Sequence, residues 1–365
     1  MSKLKFIAFN VLTTFVLFNL AYWSLPVFSV LSHTLKRTSA TDDPRAMLPN
    51  YANVTWAAQH YRELASLRSD YKSFIGWRRK PFQGETVNVG GRYAQRRTIE
   101  GMDNTKKVYF FGGSTIWGTG ARDDGTIPSQ FVALTGLWSE NFGESGYTAH
   151  QGLTLLIQLL QDGHRPDVVV FYDGANEVSQ KCRTELTPNS HGQEASIDFL
   201  LNNPPPAPTT FAHYFSPLWN AADRIKTKLT RAVAPAEVRS FEDCDSRPEK
   251  ATRIAENLVS DWQMAKGLVE SYGGRFVGIL EPVLYFSQTR LDHLTDDSVM
   301  RAQFQAVYPL VERRMAKAGG FHNLLRALDV DDYVYVDFCH VSPNGNRVIA
   351  TRIANLVQPQ DSSKP

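Results

Sequence analysis

The segment Lys107-Val-Tyr-Phe-Phe-Gly-Gly-Ser-Thr115 is the most informative part of the sequence about the fold, because a short apolar run leads directly into a glycine turn. β-Branched and aromatic residues favour a strand, and two glycines allow the backbone to turn tightly after it. A helical stretch around Pro128 to Leu134 follows. A strand, a turn and a helix in this order predict the first unit of a parallel α/β sheet.

The same pattern recurs toward the C-terminus. Further strands are predicted at 138–142, 167–172, 275–280 and 333–336, and helices at 148–160, from about 254 to 269 and from about 344 to 357. Strands that alternate with helices predict a sheet covered on both faces, since each right-handed crossover packs a helix back onto it. The predicted fold is therefore α/β, a doubly wound, three-layer α/β/α sheet of about five parallel strands.

The first third of the chain divides into three predicted segments. Residues 1–37 are interpreted as a short cytoplasmic tip and an anchor, and residues 38–106 as a linker with an N-terminal elaboration. Within the elaboration, apolar spacing predicts a helix over 56–75, and the alternation around two glycines predicts a hairpin over 85–98. The α/β domain is predicted to span 107–365.

Residues 6–31 contain no charged side chain and are rich in Phe, Leu, Val and Ile. This length exceeds the roughly 20 residues that cross a bilayer as a helix, so a single transmembrane helix is predicted. A cleaved signal peptide is the alternative, because Lys3 and Lys5 precede the apolar run, although no A-x-A site follows it. The predicted location is a single-pass membrane protein with lipid contact through 6–31 and an extracytoplasmic α/β domain.

Composition and charge exclude several classes of protein. The 365 residues include 39 Lys and Arg against 37 Asp and Glu, a net charge of +2, and 42% are hydrophobic. These values are typical of a globular chain and argue against nucleic-acid binding, which favours a basic footprint.

The basic clusters at 78–80 and 96–97 are interpreted as a solvated face. Neither a phosphate-loop lysine nor an H-E-x-x-H or C-x-x-C pattern is present, so no cofactor and no metal site are predicted.

Five residues follow the ends of the predicted strands: Ser114, Gly146, Asn176, Asp337 and His340. In open parallel sheets, ligands bind beyond the carboxyl ends of the strands, so one cleft is expected to hold all five. Attack on an ester carbonyl requires a hydroxyl nucleophile, a base, a group that orients the base, and donors to the oxyanion. Ser114 is the candidate nucleophile, His340 the base and Asp337 its partner. The N–H groups of Ser114 and Gly146 and the amide of Asn176 are the candidate oxyanion donors.

Four sequence blocks around these residues resemble those of the SGNH, or GDSL-type, hydrolase superfamily. They are Gly112-Gly-Ser-Thr115, Asn141-Phe-Gly-Glu-Ser-Gly146, Gly174-Ala-Asn-Glu177 and Asp337-Phe-Cys-His340, in the family's order. The resemblance implies a sheet of flavodoxin-like strand order and the same five site residues. The chain departs from the family at Gly113 and Glu177, where aspartate is usual, and this bears on the subfamily more than on the chemistry.

The resemblance and the predicted anchor together suggest a membrane-bound serine ester hydrolase. Its expected substrates are acylated small molecules or glycans, with acetyl groups on envelope carbohydrate as the leading class. One alternative is an O-acyltransferase acting on exported polysaccharide with the same residues, and another is a non-catalytic glycan-assembly scaffold. A flavin or nucleotide binder is disfavoured because no phosphate-cradling loop follows the first strand. The oligomeric state is left open.

The cysteines and the segment between them leave further alternatives. Cys182 and Cys244 flank much of a long insertion at about 183–250. They are expected either to pair in an oxidising compartment or to remain free thiols. Because long loops inside compact domains are commonly functional, the insertion is interpreted as a lid that selects substrate. Cys339, beside the candidate base, is interpreted as a buried packing residue.

Overall fold

The strands lie in two sheets in a computed structural model, which describes residues 43–202 and 241–358 together with a few positions between 3 and 13. They are β1 Ser69–Lys72, β2 Gly76–Arg79, β3 Phe82–Gln83, β4 Asn88–Gly90, β5 Gln95–Arg96, β6 Asp103–Gly112, β7 Leu137–Asn141, β8 Val168–Asp173, β9 Arg275–Leu280 and β10 Phe321–Asn323. β1 and β2 form an antiparallel hairpin. The other strands form one sheet in the order β10-β9-β8-β6-β7-β5-β4-β3.

The main sheet has a parallel part and an antiparallel edge. Strands β10, β9, β8, β6 and β7 pair in parallel, and β5, β4 and β3 extend the sheet beyond β7 in antiparallel fashion. Taken in chain order, the parallel strands follow the flavodoxin-like arrangement 2-1-3-4-5. Every residue of β8 is buried, as expected for a central strand covered on both faces. The predicted mixed α/β fold with a mostly parallel sheet is confirmed.

The prediction of the last parallel strand at 333–336 is wrong. The fifth parallel strand is β10, which pairs with β9, and its three residues are too few and too exposed to give a β-rich pattern. Residues 333–336 are apolar because they are packed in a folded-back loop. There the Val336 N–H donates to the His340 carbonyl at 2.9 Å, and the Ser342 N–H donates to the Val334 carbonyl at 2.8 Å. This segment therefore supports the loop that carries Asp337 and His340.

The helices cover the sheet in two groups. They are α1 Ala57–Ser66, α2 Ser114–Trp117, α3 Ile127–Thr135, α4 Ala149–Gln161, α5 Ala175–Lys181, α6 Glu194–Asn202, α7 Pro248–Glu270, α8 Ser298–Ala318 and α9 Pro343–Val357, with 3-10 turns at Pro44–Met47, Pro49–Tyr51, Asp123–Gly125 and Leu284–Phe286. Helix α7 packs against α4 and α8, whereas α3 packs against α9. Helix α4 begins after Thr148, whose N–H donates to the Gln151 Oε1 at 3.2 Å, so the side chain of the third helical residue satisfies the N-cap donor.

Two helical segments differ from the sequence predictions. The helix predicted over 56–75 ends at Ser66, after which Leu67 is extended and the β1–β2 hairpin begins. Helix α8 was not anticipated, because Pro309 lies in its interior and proline usually interrupts a helix. The predicted hairpin over 85–98 is present as the antiparallel pair of β4 and β5.

The chain divides into two compact units, Met1–Thr41 with Glu194–Arg239, and Asp42–Gln193 with Ser240–Pro365. The second unit contains both sheets. A disulfide cross-links Cys182 and Cys244 within this unit, 62 positions apart in the sequence. Of the two alternatives for these cysteines, the structure therefore has the paired one. Cys339 is buried and free. Residues 203–240 of the predicted lid lie outside the described residues, and the predicted domain limits stay a prediction.

No helix among the residues that the structure describes is long and apolar enough to span a bilayer. The predicted transmembrane segment, 6–31, lies outside the described residues except at Phe6, Phe9, Asn10 and Thr13, which are helical.

Candidate active site

The candidate nucleophile lies at the turn between β6 and α2. Ser114 is the first residue of α2 and remains partly exposed, while the two residues after it are buried. Gly113 precedes it as the N-cap, and a Cβ atom at that position would overlap the side-chain amide of Asn176. The glycine therefore lets the nucleophile turn and the Asn176 side chain approach closely.

A chain of two hydrogen bonds joins the candidate triad. The Ser114 Oγ lies 2.6 Å from His340 Nε2, and His340 Nδ1 lies 2.7 Å from Asp337 Oδ2. An ionised Asp337 can only accept, so Nδ1 carries the hydrogen and Nε2 is left to accept from the serine hydroxyl. These are the positions that a serine nucleophile, its base and the base's orienting carboxylate require.

The Asp337 carboxylate is held ionised by its surroundings. Its other oxygen accepts from the N–H groups of His340 at 2.8 Å and Cys339 at 3.1 Å. Burial by itself raises the pKa of Asp337, but the His340 charge and these hydrogen bonds outweigh it and lower the pKa to about 2. Arg45 Nη1 lies 4.0 Å from Asp337 Oδ2 and adds positive charge nearby. The carboxylate is therefore available to orient His340 throughout the neutral range.

The candidate oxyanion donors lie beside this chain. Gly146 has a φ of +77°, a left-handed conformation that favours glycine, and its carbonyl accepts from Gln180 Nε2 at 2.7 Å. The Asn176 Nδ2 donates to the Tyr147 carbonyl at 2.8 Å, which leaves its second N–H available. Within residues 43–202 and 241–358, the backbone N–H groups of Ser114 and Gly146 make no hydrogen bond. All three donors therefore retain a hydrogen for a ligand.

The two departures from the SGNH blocks have structural counterparts. At Gly113, an aspartate side chain would occupy the space that the Asn176 amide fills. The longer Glu177 side chain reaches two helix starts, because its carboxylate accepts from Ala149 N–H at 2.7 Å and from Gly174 N–H at 3.0 Å. Glu177 thus links the start of α4 to the start of α5, where Asn176 lies.

Glu281 is a residue of this region that the sequence did not reveal. It directly follows β9, is 2% exposed, and accepts from the Thr115 hydroxyl and the Ala175 N–H, each at 2.7 Å. Burial raises the pKa of Glu281 to about 7, although both hydrogen bonds lower it. A lone glutamate after a strand carries no recognisable pattern, so no local signal identifies it.

The N-terminal elaboration supports the glycine block. Arg78, on β2, donates to the carbonyls of Phe142 at 2.9 Å and Gly143 at 3.2 Å, and to those of Tyr93 and Ala94 at 3.0 Å each. The neighbouring Trp77 donates from Nε1 to the Ser145 carbonyl at 3.0 Å. The hairpin that contains both residues therefore anchors the loop that ends at Gly146.

The interpretation of the basic clusters as a solvated face is wrong for two of their arginines. Arg78 is 2% exposed and Arg96 is 1% exposed. Arg96 pairs with Asp123 at 2.6 Å and lies over the ring of Trp117. Both guanidinium groups satisfy several buried acceptors at once, which their five donors in a planar fork make possible. Sequence spacing does not distinguish this role from solvent exposure.

One group of potential metal ligands occurs within the described part of the chain. The ligand atoms of Asp337, Cys339 and His340 lie within 4.8 Å of one another. His340 Nδ1 is already bonded to Asp337, and burial raises the pKa of the Cys339 thiol far above its usual value. His340 and Asp337 are thus better described as a base and its orienting carboxylate than as metal ligands, and Cys339 as a buried neutral thiol.

Comparison with known proteins places solved esterase and lipolytic structures among those similar to this chain. No protein-family model and no curated protein matches the sequence. A member of the lipolytic protein G-D-S-L family from Veillonella parvula is 13% identical, with a TM-score of 0.39, and covers 70% of this chain and 98% of its own. A carbohydrate acetylesterase family member from Sinorhizobium meliloti is 17% identical, with a TM-score of 0.34, and covers 69% and 97%. An alpha/beta hydrolase enzyme from the metagenome of Lake Arreo, Spain, is 16% identical, with a TM-score of 0.37, and covers 73% and 97%. At these identities and TM-scores, we infer function from this chain's own residues and not from the similar structures.

Proposed function

We propose that this protein is a serine ester hydrolase in which Ser114 is the nucleophile, His340 the general base and Asp337 the residue that orients His340. The observation that supports this assignment is the unbroken chain from Ser114 Oγ to His340 Nε2 at 2.6 Å and from His340 Nδ1 to Asp337 at 2.7 Å. Chance placement of a serine, a histidine and an aspartate rarely satisfies both contacts in the order that acyl transfer needs.

The reaction proceeds in two half-reactions. His340 Nε2 takes the Ser114 proton as Oγ attacks the ester carbonyl, and the imidazolium then gives that proton to the leaving alcohol. The N–H groups of Ser114 and Gly146 and the amide of Asn176 stabilise the negative oxygen that forms in each tetrahedral intermediate. In the second half-reaction His340 Nε2 removes a proton from water as the water oxygen attacks the acyl-serine carbonyl. The imidazolium then returns this proton to Ser114 Oγ as the bond between Oγ and the acyl carbon breaks, which releases a carboxylic acid and restores the serine.

The substrate class that we propose is an O-acylated carbohydrate, with acetyl as the first acyl group to examine. All of the proposed catalytic residues are partly exposed, which suits an ester carried on a larger molecule. Trp77 is also partly exposed and lies against Gly146, so an aromatic ring flanks the proposed oxyanion site. Aromatic faces are common contact surfaces for the apolar side of a sugar ring.

The test is hydrolysis of p-nitrophenyl acetate and of acetylated xylan by the purified full-length protein and by Ser114→Ala. We expect the variant to lose at least about 10³-fold in kcat/KM while its circular dichroism stays unchanged. Ser271→Ala, at an exposed serine after α7, is the matched control and should keep full activity. Equal activity in wild type and Ser114→Ala would exclude the proposed mechanism.

The acyl acceptor distinguishes the hydrolase from an O-acyltransferase that uses the same residues. Assays with the acyl donor in the presence and absence of a polysaccharide acceptor measure how the acyl group partitions between water and sugar hydroxyls. Acetate as the main product supports the hydrolase, and acylated polysaccharide as the main product supports the transferase. A folded protein that turns over no ester and is not labelled at Ser114 by a fluorophosphonate would support a non-catalytic scaffold.

We also propose that the catalytic unit lies outside the cytoplasm, held by the apolar segment 6–31. The Cys182–Cys244 disulfide supports this location, because such bonds persist in oxidising compartments and are rare in the cytosol. Alkylation of free thiols in intact cells, followed by mass spectrometry, tests it. Unmodified Cys182 and Cys244 before reduction are expected, and their alkylation without reduction would contradict the proposal.

A further inference from the structure

A cavity of about 370 Å³ lies apart from the proposed catalytic residues. Its lining comes from α4, α5, α7 and the segment before α6, and consists of His150, Lys181, Pro188, Asn189, Asn257, Ser260, Asp261 and Met264. The volume lies in the range of small-molecule sites, and the lining residues are polar or charged except Pro188 and Met264. None of these residues takes part in the mechanism above, so the cavity needs a separate explanation.

Lys181 is the unusual member of this lining. It is the last residue of α5 and is 2% exposed, yet within the described residues its ammonium makes neither a hydrogen bond nor an ion pair. The stem of Lys181 is buried while its ammonium faces the cavity, where no side chain of the described residues pairs with its charge. The cavity is the open space that Lys181 lines, so a ligand there is in a position to provide the missing acceptors.

The other charged groups of the lining leave this positive charge uncompensated. Asp261 is buried, and its Oδ1 is engaged by His150 Nδ1 at 2.9 Å. This hydrogen bond raises the pKa of His150, which favours its cationic form. The lining thus contains one carboxylate against a lysine and a histidine.

Neutral donors complete the lining. Asn257 Nδ2 donates to the Asn189 Oδ1 at 2.6 Å and to the Pro188 carbonyl at 3.1 Å. Because the Asn189 oxygen is the acceptor, its own NH₂ group is left as a donor. The exposed Ser260 adds a hydroxyl. Amide and hydroxyl donors around a cation are the groups that recognise oxyanions.

We propose that this cavity binds the oxyanion of a small anionic ligand, a carboxylate or a phosphate carried on a body of sugar size, with Lys181 as its charge partner. Its volume exceeds that of a single inorganic ion, so the ligand fills it with an attached polar body. Asn189 donates to the anionic group, and His150 reinforces the positive potential. The site is independent of ester hydrolysis and does not require that the proposed function be correct.

The experiment is isothermal titration calorimetry at pH 7 and low ionic strength, with the full-length protein. The probes are glucuronate, glucose 6-phosphate, inorganic phosphate and, as the uncharged comparison, glucose. We expect saturable binding of glucuronate or glucose 6-phosphate that is at least about tenfold tighter than that of glucose. Tighter binding of glucuronate would identify the ligand's anionic group as a carboxylate, and tighter binding of glucose 6-phosphate would identify it as a phosphate. Inorganic phosphate that binds as tightly as glucose 6-phosphate would overturn the proposal that the ligand has a body of sugar size.

Two variants test the residues. Lys181→Met keeps the apolar stem and removes the charge, and should weaken anion binding at least about tenfold. Asn189→Asp keeps an oxygen to accept from Asn257 but places a carboxylate in the lining, and should weaken binding similarly without disturbing the core, since Asn189 is exposed. Lys266→Met, at a surface lysine of α7 paired with Glu270, is the control and should bind as wild type does.

Folding of the variants is checked by circular dichroism and by esterase activity toward p-nitrophenyl acetate, because none of these residues belongs to the proposed catalytic machinery. Equal affinity for glucose and for the anionic sugars would overturn the proposal. Anion binding that survives both Lys181→Met and Asn189→Asp would overturn it as well, as would the absence of saturable binding to every probe.

Discussion

The Glu281 carboxylate accepts a hydrogen bond of 2.7 Å from the hydroxyl of Thr115, the residue that follows the proposed nucleophile. Its other oxygen accepts from the N–H of Ala175, the residue before Asn176, also at 2.7 Å. One buried carboxylate at the end of β9 therefore connects the nucleophile turn to the turn that carries an oxyanion donor. The distance between these two turns determines whether Asn176 can reach the oxyanion.

Glu281→Met should lower kcat about 10- to 100-fold and change KM much less. The thioether is too weak an acceptor to replace the carboxylate, so the Thr115 hydroxyl and the Ala175 N–H both lose their acceptor and the two turns are no longer connected. A misplaced donor weakens transition-state binding more than substrate binding. Steady-state kinetics with p-nitrophenyl acetate measure both constants. A change confined to KM would show that Glu281 does not position the catalytic turns.

The free energy of unfolding should depend on pH through the same residue. Because burial raises the pKa of Glu281 to about 7, the folded state favours its protonated form. The resulting stability is fully present below the unfolded pKa of about 4.3 and is lost as the pH rises through about 7. Between pH 4 and pH 9, wild type should lose about 3 kcal/mol more than Glu281→Gln. Urea unfolding at several pH values measures this, and parallel curves for the two proteins would contradict it.

Asp337→Asn should lower kcat/KM by about 10³- to 10⁴-fold with little change in fold. The amide can donate to His340 Nδ1, which favours the tautomer with a hydrogen on Nε2 and removes the acceptor that Ser114 needs. Ester hydrolysis by the folded variant measures the effect. Asp331→Asn, at an exposed aspartate outside the loop, is the control and should retain activity. Retention of activity by Asp337→Asn would show that another group orients His340.

Gly113→Ala should lower kcat about 10²- to 10³-fold, because the added methyl group displaces the Asn176 amide from the nucleophile turn. Gly267→Ala is the matched control. A Cβ atom there meets nothing within 4 Å, and Gly267 lies inside α7, so alanine should stabilise the helix by about 0.5–1 kcal/mol and leave kcat unchanged. Kinetics and thermal unfolding of both variants measure this. A fully active Gly113→Ala would argue against Asn176 as an oxyanion donor.

Arg78→Met should destabilise the protein by about 3–5 kcal/mol, since it leaves several buried carbonyls of the glycine-block loop without donors. Arg92→Met, at a side chain that is 72% exposed, should change stability by less than about 0.5 kcal/mol. Denaturant unfolding gives both values. Similar small effects from the two substitutions would show that the Arg78 hydrogen bonds contribute little.

Four of the five parallel strands were predictable because their signals are local. Val168 to Tyr172, for example, are all apolar and lie between Asp167 and Asp173, and a glycine turn follows, so composition and the flanking residues predict the strand. Strand β10 was missed because Phe321–Asn323 is short and half exposed, and its pairing with β9 is the only feature that makes it a strand. The helix predicted over 56–75 begins where expected but ends at Ser66, because the β1–β2 hairpin forms over the remaining residues.

The candidate site also combines residues that the sequence predicted with residues that it did not. Ser114, Gly146, Asn176, Asp337 and His340 were identified from short blocks after strand ends, and the structure joins the first to the last two by hydrogen bonds. Arg78 and Glu281, which support the site, were not identified, because neither lies in a recognisable sequence motif. Their roles depend on contacts made across the fold.

The alternation of strands and helices, the glycine turns and the residue types needed for acyl transfer can be predicted from the amino-acid sequence, since periodicity, turn chemistry and side-chain reactivity are properties of neighbouring residues. Contacts across the fold, in contrast, bring Ser114 and His340, 226 positions apart, to 2.6 Å from each other. These contacts also place Glu281 beside Thr115, 166 positions earlier, and leave Lys181 at a cavity with no hydrogen-bond or ion-pair partner among the described residues. Burial and long-range hydrogen bonds depend on how the sheet brings distant segments together, and no local pattern encodes them.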